Sequence, residues 1–431
     1  MKHLPRTEAL GLIEGGQALF AALTTAFDQA SKLIHLETYI FDFHGASQRV
    51  AEALVRAAER GVVVRVMVDG IGTDPLPAEW EACFRTAGVQ WCVYSPLGTG
   101  LGPFGALGRH LGLLVPNRWR RLHRKLCVVD EQLAFCGGIN VLDDWYDPSY
   151  GALTAPRFDF AVQGTGLFAL EVAEATALLW WRVQAGYSAR QNHLAAAWEK
   201  FKAAGYGGRT DTPPLRAAAA APSFAASGAV SGRDSSRNLS GVVATLVLRD
   251  NLRNRRSIER AYRKAIGGAR HEVIIANAYF LPGGALRRAL MAAARRGVRV
   301  TLLLQGKYEY FMQYHAVRPV YGALLAAGVE IHEYETSFLH AKVAVVDGHW
   351  ATVGSSNLDP LSLLLAREAN VVVQDIAFAA QLADCLQRAV TMQGRRVEPA
   401  AYAGRPLSQR LKGWFAYGLM RLAVVLSGSR Y

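Results

Sequence analysis

The 431-residue chain reads as an α/β protein made of two similar halves. Three observations lead there. One eight-residue pattern occurs twice, His-Arg-Lys-Leu-Cys-Val-Val-Asp at 123–130 and His-Ala-Lys-Val-Ala-Val-Val-Asp at 340–347, both His-x-Lys-x-x-x-x-Asp. The match extends to both sides. Ala-Glu-Arg-Gly-Val-Val-Val-Arg-Val at 58–66 mirrors Ala-Arg-Arg-Gly-Val-Arg-Val-Thr-Leu at 294–302, and Ala87-Gly88-Val89 mirrors Ala327-Gly328-Val329. An Asn follows each His by 17 residues, Asn140 in Gly137-Gly138-Ile139-Asn140 and Asn357 in Gly354-Ser355-Ser356-Asn357. Finally, each half alternates strand, helix, strand and helix before its motif hairpin, the order of a sheet with helices on its faces. The length also exceeds what one core usually organises.

Taken in order, the first domain is expected over 1–205. The apolar run inside each motif reads as a strand, which puts His123 beside Lys125 and His340 beside Lys342 on one face. Leu126, Val128, Val343 and Val345 then face the other side or a core. Asp130 and Asp347 fall in hairpin turns, so the residues assign them a turn-stabilising role rather than contact with substrate. Phe168 to Trp181 reads as an apolar helix, with Trp180-Trp181 in a core or interface. Residues 206–238 hold Pro-Pro, five consecutive Ala (217–221) and a Ser/Gly-rich tract, and read as a flexible linker. A second domain is expected over 239–400, followed by a basic, apolar tail at 401–431.

The duplicated motif predicts chemistry on a phosphate-like anion, with one site built by both halves. One imidazole can attack phosphorus while the other protonates the leaving alkoxide. Lys125, Lys342, Asn140 and Asn357 would stabilise charge developing on the phosphoryl oxygens. A single copy would equally fit an ordinary buried histidine; two copies with matched Asn spacing do not. The remaining histidines, such as His35, His44, His110, His193 and His332, are scattered and read as solvated or core groups. No metal-ligand cluster stands out. Five cysteines (83, 92, 127, 136, 385) form no Cys-x-x-Cys pair, and no apolar stretch follows Met1 as in a secretory signal. Both features point to a reduced, cytoplasmic setting.

The paired motifs resemble those that define the phospholipase D superfamily, over about residues 10 to 400. Within it, several stretches are similar to bacterial cardiolipin synthases of the short class that lacks an N-terminal membrane span. They are Glu37-Thr38-Tyr39-Ile40-Phe41, Asn117-Arg118, Gly137-Gly138-Ile139-Asn140, Val273 through Phe280, and His349 through Ser362. The resemblance implies two phospholipase D-like halves packed face to face, with the site in the seam and no metal or other cofactor. It implies phosphatidyl transfer through a phosphohistidine, from phosphatidylglycerol to the glycerol headgroup of a second one. His123 would be the nucleophile and His340 the acid and base, with Ser355 among the phosphate-binding or orienting residues. The motif carries Asp130 and Asp347 with it. Glu368, 28 residues after His340, matches the family's acidic orienter; Asp159, 36 residues after His123, matches it more loosely. Segment 141–157 departs from the family pattern. A phospholipase giving the intermediate to water and a nuclease acting on a nucleic-acid backbone use the same site. Phosphatidylethanolamine as donor and free glycerol as acceptor stay open, and the sequence does not indicate an oligomeric state.

A net charge of +13 attracts nucleic acid or anionic lipid, with basic clusters at 118–125 and 249–264. Two apolar segments, 97–115 and 413–426, favour an anionic phospholipid membrane over nucleic acid. The first, Gly-rich and directly before His123, is expected to cover the site. The second has 14 residues, too few to cross the ~30 Å hydrocarbon core. Aromatic and flanked by Arg410 and Lys412, it reads as a helix lying in the interface or docked on the protein. The expected location is peripheral, on the cytoplasmic side of the bacterial inner membrane.

Overall fold

The computed structural model describes residues 7–95, 121–147, 150–190, 198–200, 239–250, 254–308, 311–359 and 366–426. The expected linker at 206–238 and the apolar segment 97–115 lie outside the described residues.

The first half runs β1 (Thr7–Glu14), α1 (Gly16–Gln29), β2 (Leu33–Thr38), α2 (Gln48–Glu59), β3 (Val63–Asp69), α3 (Ala78–Ala87), β4 (Gln90–Tyr94), β5 (Arg121–Leu122), β6 (Lys125–Val129) and β7 (Leu133–Gly137). It ends with β8 (Tyr146–Asp147), β9 (Gly151–Ala152), β10 (Phe160–Thr165) and α4 (Leu167–Arg190). The second half repeats the order: β11 (Leu239–Arg249), α5 (Ser257–Gly268), β12 (Glu272–Asn277), α6 (Gly284–Arg295), β13 (Arg299–Gln305), α7 (Phe311–Ala326), β14 (Glu330–Tyr334), β15 (Lys342–Val346), β16 (Trp350–Gly354), β17 (Ala366–Gln374) and α8 (Ile376–Gln393). The short β18 (Gly394–Arg396), α9 (Pro399–Ala403) and α10 (Leu407–Leu426) complete it. Each half therefore carries one more helix and strand before its hairpin than the sequence pattern suggested, and opens on a strand the pattern missed.

The repeat in the sequence becomes a repeat in local structure. Helix α2 buries Val50, Ala51, Ala53, Leu54, Ala57 and Ala58; α6 buries Leu286, Leu290 and Ala293. Both present one apolar stripe to their sheet. Both end in Arg-Gly-Val, and Gly61 and Gly297 each take φ of +88°. That left-handed conformation lets the helix stop and turn into β3 or β13 without a Cβ clash. The crossovers make β2, β3 and β4 parallel, as they do β12, β13 and β14. The motif strands β6 and β15 add antiparallel to β2 and β12.

Strand β11 pairs with both β1 and β17, so one sheet order runs through the described residues: β18-β14-β13-β12-β15-β16-β17-β11-β1-β10-β7-β6-β2-β3-β4. The halves share a central core. Leu126, Val128, Val343 and Val345 meet there with Phe158, Phe168 of α4 and Phe378 of α8. Cys127 and Val129 face a core under α1 to α3, and Ala344 and Val346 face one under α5 to α7. Both faces of each motif strand are thus buried, which explains its unbroken apolar run. Strand β5 leaves its own half and pairs in parallel with β17, carrying the chain into the seam directly before His123.

Helix α4 runs well beyond Trp181. Trp180 is buried, and the Arg65 guanidinium lies over both indoles. Helix α10 starts six residues before the apolar segment and packs on α7 through Gly413 and Ala416; a Cβ on Gly413 would stand 3.4 Å from Pro319. Its opposite face exposes Leu411, Trp414, Phe415 and Leu422. The reading of this segment as a helix docked on the protein therefore holds for the face on α7. Among the described residues, no helix is long and apolar enough to cross a membrane.

Candidate active site

Both histidines sit where a strand is interrupted. The strand expected through His123 and Lys125 is broken: β5 stops at Leu122 and β6 starts at Lys125, just as β15 starts at Lys342. The pairing beside each imidazole comes from the other half. The His123 N–H donates to the Arg367 carbonyl at 3.0 Å, and the His340 N–H donates to the Phe158 carbonyl at 2.9 Å. Each lysine folds back, so that Lys125 Nζ donates to the His123 carbonyl at 2.7 Å and Lys342 Nζ to the His340 carbonyl. Each lysine is thereby tied to the backbone of its own histidine.

The carboxylates are exchanged between the halves. His123 Nδ1 meets Glu368 at 3.0 and 3.1 Å, and His340 Nδ1 meets Asp159 at 2.6 Å. A carboxyl group on Nδ1, whichever partner holds the shared proton, leaves Nε2 as the reactive nitrogen. The His123 side chain keeps 15% of its surface and that of His340 keeps 22%, while Glu368 and Asp159 are buried. This resolves which carboxylate serves which histidine, a point on which the sequence is silent.

The two pairs are not equivalent. Backbone pairing places Gly138 opposite Phe160, and Ser355 opposite Ala369 in the same way, so Asp159 corresponds to Glu368 and Gly138 to Ser355. Ser355 Oγ donates to Glu368. A Cβ on Gly138 would stand 2.4 Å from an oxygen of Asp159, so the shorter carboxylate occupies the space that the serine side chain fills in the other half. Burial alone would raise the Glu368 pKa, but His123, Lys125 and Ser355 together hold it below the ordinary value. Burial pushes Asp159 up to about 7, against the pull of Lys342 and the Phe160 N–H. Burial also lowers both imidazoles; Glu368 opposes that at His123, whereas at His340 Lys342 and Lys125 add to it, so His340 falls further. Burial, aided by Lys342, brings Lys125 down to about 7. That mutual influence of Lys125, Lys342, His123 and His340 places the two motifs in one electrostatic site.

Asn140 and Asn357 are both buried. The Asn140 carbonyl accepts the Ile40 N–H at 3.2 Å, leaving its NH2 end as the donor. Two neighbours were not anticipated as site residues. The Tyr39 ring lies 4.9 Å from the His123 ring and within 5.5 Å of Lys125 Nζ. Arg157 bonds the Asp143 carbonyl and Asp147, and its charge reaches His340. Tyr39 had a signal, its place in the 37–41 stretch; Arg157 had none.

Asp130 and Asp347 do not belong to this site, which corrects their grouping with the motif's catalytic residues. Both lie at the far end of the hairpins. Asp130 and Glu131 have φ of +53° and +59°, and Asp347 and Gly348 have +49° and +63°, the signature of tight hairpin turns. The Asp130 carboxylate accepts the N–H groups of Ser31, Lys32 and Leu33; Asp347 accepts those of Arg270, His271 and Glu272. They tie the turn to the start of β2 or β12.

The family described as "Cardiolipin synthase, PLD-like domain" matches residues 23–147 and 262–390. Cardiolipin synthase B of Salmonella typhi is 32% identical over 424 residues, covering 97% of this chain and 89% of the relative. The major cardiolipin synthase of Bacillus subtilis is 27% identical over 406 residues, covering 94% and 73%. The crystal structure of phosphatidylserine synthase from Haemophilus influenzae Rd KW20 superposes with a TM-score of 0.65 at 12% identity, covering 98% of this chain and 97% of that one, a likeness of fold.

Proposed function

Because this chain belongs to the PLD-like cardiolipin synthase family, we propose that it joins two phosphatidylglycerol molecules into cardiolipin and releases glycerol. The observation that carries the mechanism is the crossed pairing of His123 with Glu368 and His340 with Asp159. His123 Nε2 attacks the donor phosphorus as the bond to the headgroup oxygen breaks. An ionised Glu368 on Nδ1 favours that attack, because the imidazole gains positive charge as the P–N bond forms. A carboxyl near pKa 7 suits Asp159 to the other role. His340 gives its Nε2 proton to the departing alkoxide while the Asp159 proton passes to Nδ1. In the second step His340 takes the acceptor's hydroxyl proton through Nε2 as its Nδ1 proton returns to Asp159, the acceptor oxygen bonds phosphorus, and the P–N bond to His123 breaks. Lys125, Lys342, Asn140 and Asn357 offset charge on the phosphoryl oxygens.

The exposed Trp414 and Phe415 of α10 support a peripheral position on an anionic lipid surface. The cysteines, free thiols and four of them buried, support the reducing, cytoplasmic side. Replacing Trp414 and Phe415 by Ser should weaken sedimentation with phosphatidylglycerol vesicles; unchanged sedimentation would reduce the helix to packing. Mass spectrometry of products from phosphatidylglycerol vesicles tests the reaction itself. Cardiolipin with equimolar glycerol is expected. Phosphatidic acid as the main product would make the protein a hydrolase, and an inert lipid with a cleaved nucleic-acid backbone would overturn the lipid reading.

A further inference from the structure

The two halves differ in length on the C-terminal side of their motifs. From Asn140 to Asp159 the chain advances 19 residues, and from Asn357 to Glu368 it advances 11. The longer connection contains the hairpin of β8 and β9, in which Tyr146 pairs with Ala152 and Asp147 with Gly151. Its base is firmly held. Arg157 bonds Asp147 at 2.7 Å and the Asp143 carbonyl at 2.6 Å, and the Arg157 N–H donates to the Asp144 carbonyl. The second half holds it too: Ser337 Oγ donates to the Ala155 carbonyl, and the Tyr150 ring lies 5.3 Å from that of Phe338. Phe338 and Phe158 flank the bridge that delivers His340 to Asp159.

A hairpin fixed this well nonetheless turns three aromatic side chains outward. Trp145 is 44% exposed, Tyr146 47% and Tyr150 49%. Trp and Tyr at the surface of a rigid element match the headgroup level of a bilayer, where an apolar ring and a polar tip are both satisfied. The location fits the same environment. A phosphodiester can reach His123 and His340 while its acyl chains stay in the bilayer if the rim of the site rests at headgroup depth. The positive charge of the chain matches an anionic lipid surface.

We propose that the β8–β9 hairpin, through Trp145, Tyr146 and Tyr150, is a bilayer-interface anchor that presses the mouth of the histidine site onto lipid headgroups. The proposal rests on the phospholipid reading, so its test separates docking from turnover. The variant carries Trp145→Ser and Tyr146→Ser, leaving Tyr150 and its contact with Phe338 in place. Three quantities are measured: binding to vesicles of phosphatidylglycerol and phosphatidylcholine, turnover of vesicle phosphatidylglycerol, and turnover of short-chain phosphatidylglycerol below its micelle concentration. Vesicle affinity should fall about tenfold or more. Half-saturation on vesicles should rise by a similar factor, while turnover of the monomeric lipid stays within about twofold. Trp145→Phe should retain most of the vesicle affinity. Vesicle affinity unchanged in the double variant overturns the proposal, as does an equal loss on monomeric lipid, which would place the hairpin in the site instead. Hairpin-dependent vesicle binding by a wild type that converts no phosphatidylglycerol supports the anchor and refutes the proposed reaction.

Discussion

The two halves share a backbone down to the glycines that end their helices, and they diverge where side chains meet a histidine. In the first half Arg124 pairs with buried Glu37 and also donates to the Ala175 carbonyl of α4. In the second, Ala341 and Ala276 occupy those places. Tyr39 lies against His123; the equivalent position, two residues beyond Ala276, is Ala278. Ser355 with Glu368 answers Gly138 with Asp159. A symmetric scaffold thus carries an asymmetric pair of imidazoles. Because the carboxylates cross the seam, neither half contains a complete histidine–carboxylate pair. In the proposed reaction the duplicated fold supplies two positions around one phosphorus, and the local substitutions give them different tasks.

The histidines should break the symmetry most. His123→Ala and His340→Ala should each fold and each lose transfer by about ten-thousandfold or more. With phosphate-labelled donor, His340→Ala should accumulate labelled enzyme and His123→Ala should not. The reverse pattern would exchange the roles, and near wild-type turnover in either variant would end the shared-site account.

The carboxylates come next, at about a hundredfold to ten-thousandfold. If they act across the seam, Glu368→Gln should behave like a defect of His123, although it lies in the half that carries His340. Asp159→Asn should behave like a defect of His340. A donor with an acidic phenol leaving group needs no protonation, so it should rescue Asp159→Asn and leave Glu368→Gln slow. Rescue of Glu368→Gln instead would refute the crossed assignment.

What the sequence disclosed follows the same division. The duplication, the motif hairpins and His123, Lys125, His340 and Lys342 are local patterns, and local patterns survive in one dimension. Asp159 and Glu368 were visible as candidates, because each sits a short distance beyond its own motif. Their exchange was not, since 245 residues separate Glu368 from His123 and 181 separate Asp159 from His340. The strands β1 and β11 were missed for a related reason. They join the halves by pairing with each other, and such a partner leaves little trace in either strand. The break before Lys125 was misread as continuous strand because the pairing that interrupts it comes from β17.

A smaller effect should follow from the residues behind the carboxylates. Ser355→Ala removes a donor that stabilises the charged form of Glu368, so the carboxyl should titrate at higher pH. The acidic limb of the kcat profile should then move upward in pH, with a loss of about tenfold on that limb and less at the optimum. Gly138→Ala should act on the other pair, since its new Cβ displaces the Asp159 carboxylate from His340. An unmoved acidic limb in Ser355→Ala would mean that His123 and Lys125 suffice to hold Glu368 ionised.

The smallest effect on activity is expected at the residues that the motif itself displays most plainly. Asp130 and Asp347 close each His-x-Lys-x-x-x-x-Asp pattern, yet their carboxylates are occupied by backbone N–H groups at the end of the hairpin away from the imidazoles. Asparagine tolerates the left-handed turn but lacks the charge that those donors favour. Asp130→Asn and Asp347→Asn should each destabilise the fold by about 1–3 kcal/mol, while kcat per folded molecule stays within about twofold of wild type. Burial opposes ionisation of both carboxyls, but the backbone donors win and lower each pKa. A carboxyl whose folded pKa is depressed contributes stability that is present at neutral pH and is lost as pH falls through that folded pKa. The stability gap between wild type and either variant should therefore be full at pH 7 and shrink in acid. Urea unfolding across that range, run beside single-turnover rates, measures both. A large loss of kcat in stably folded Asp130→Asn would return that carboxylate to the site; a loss confined to stability leaves it as the clamp between hairpin and sheet.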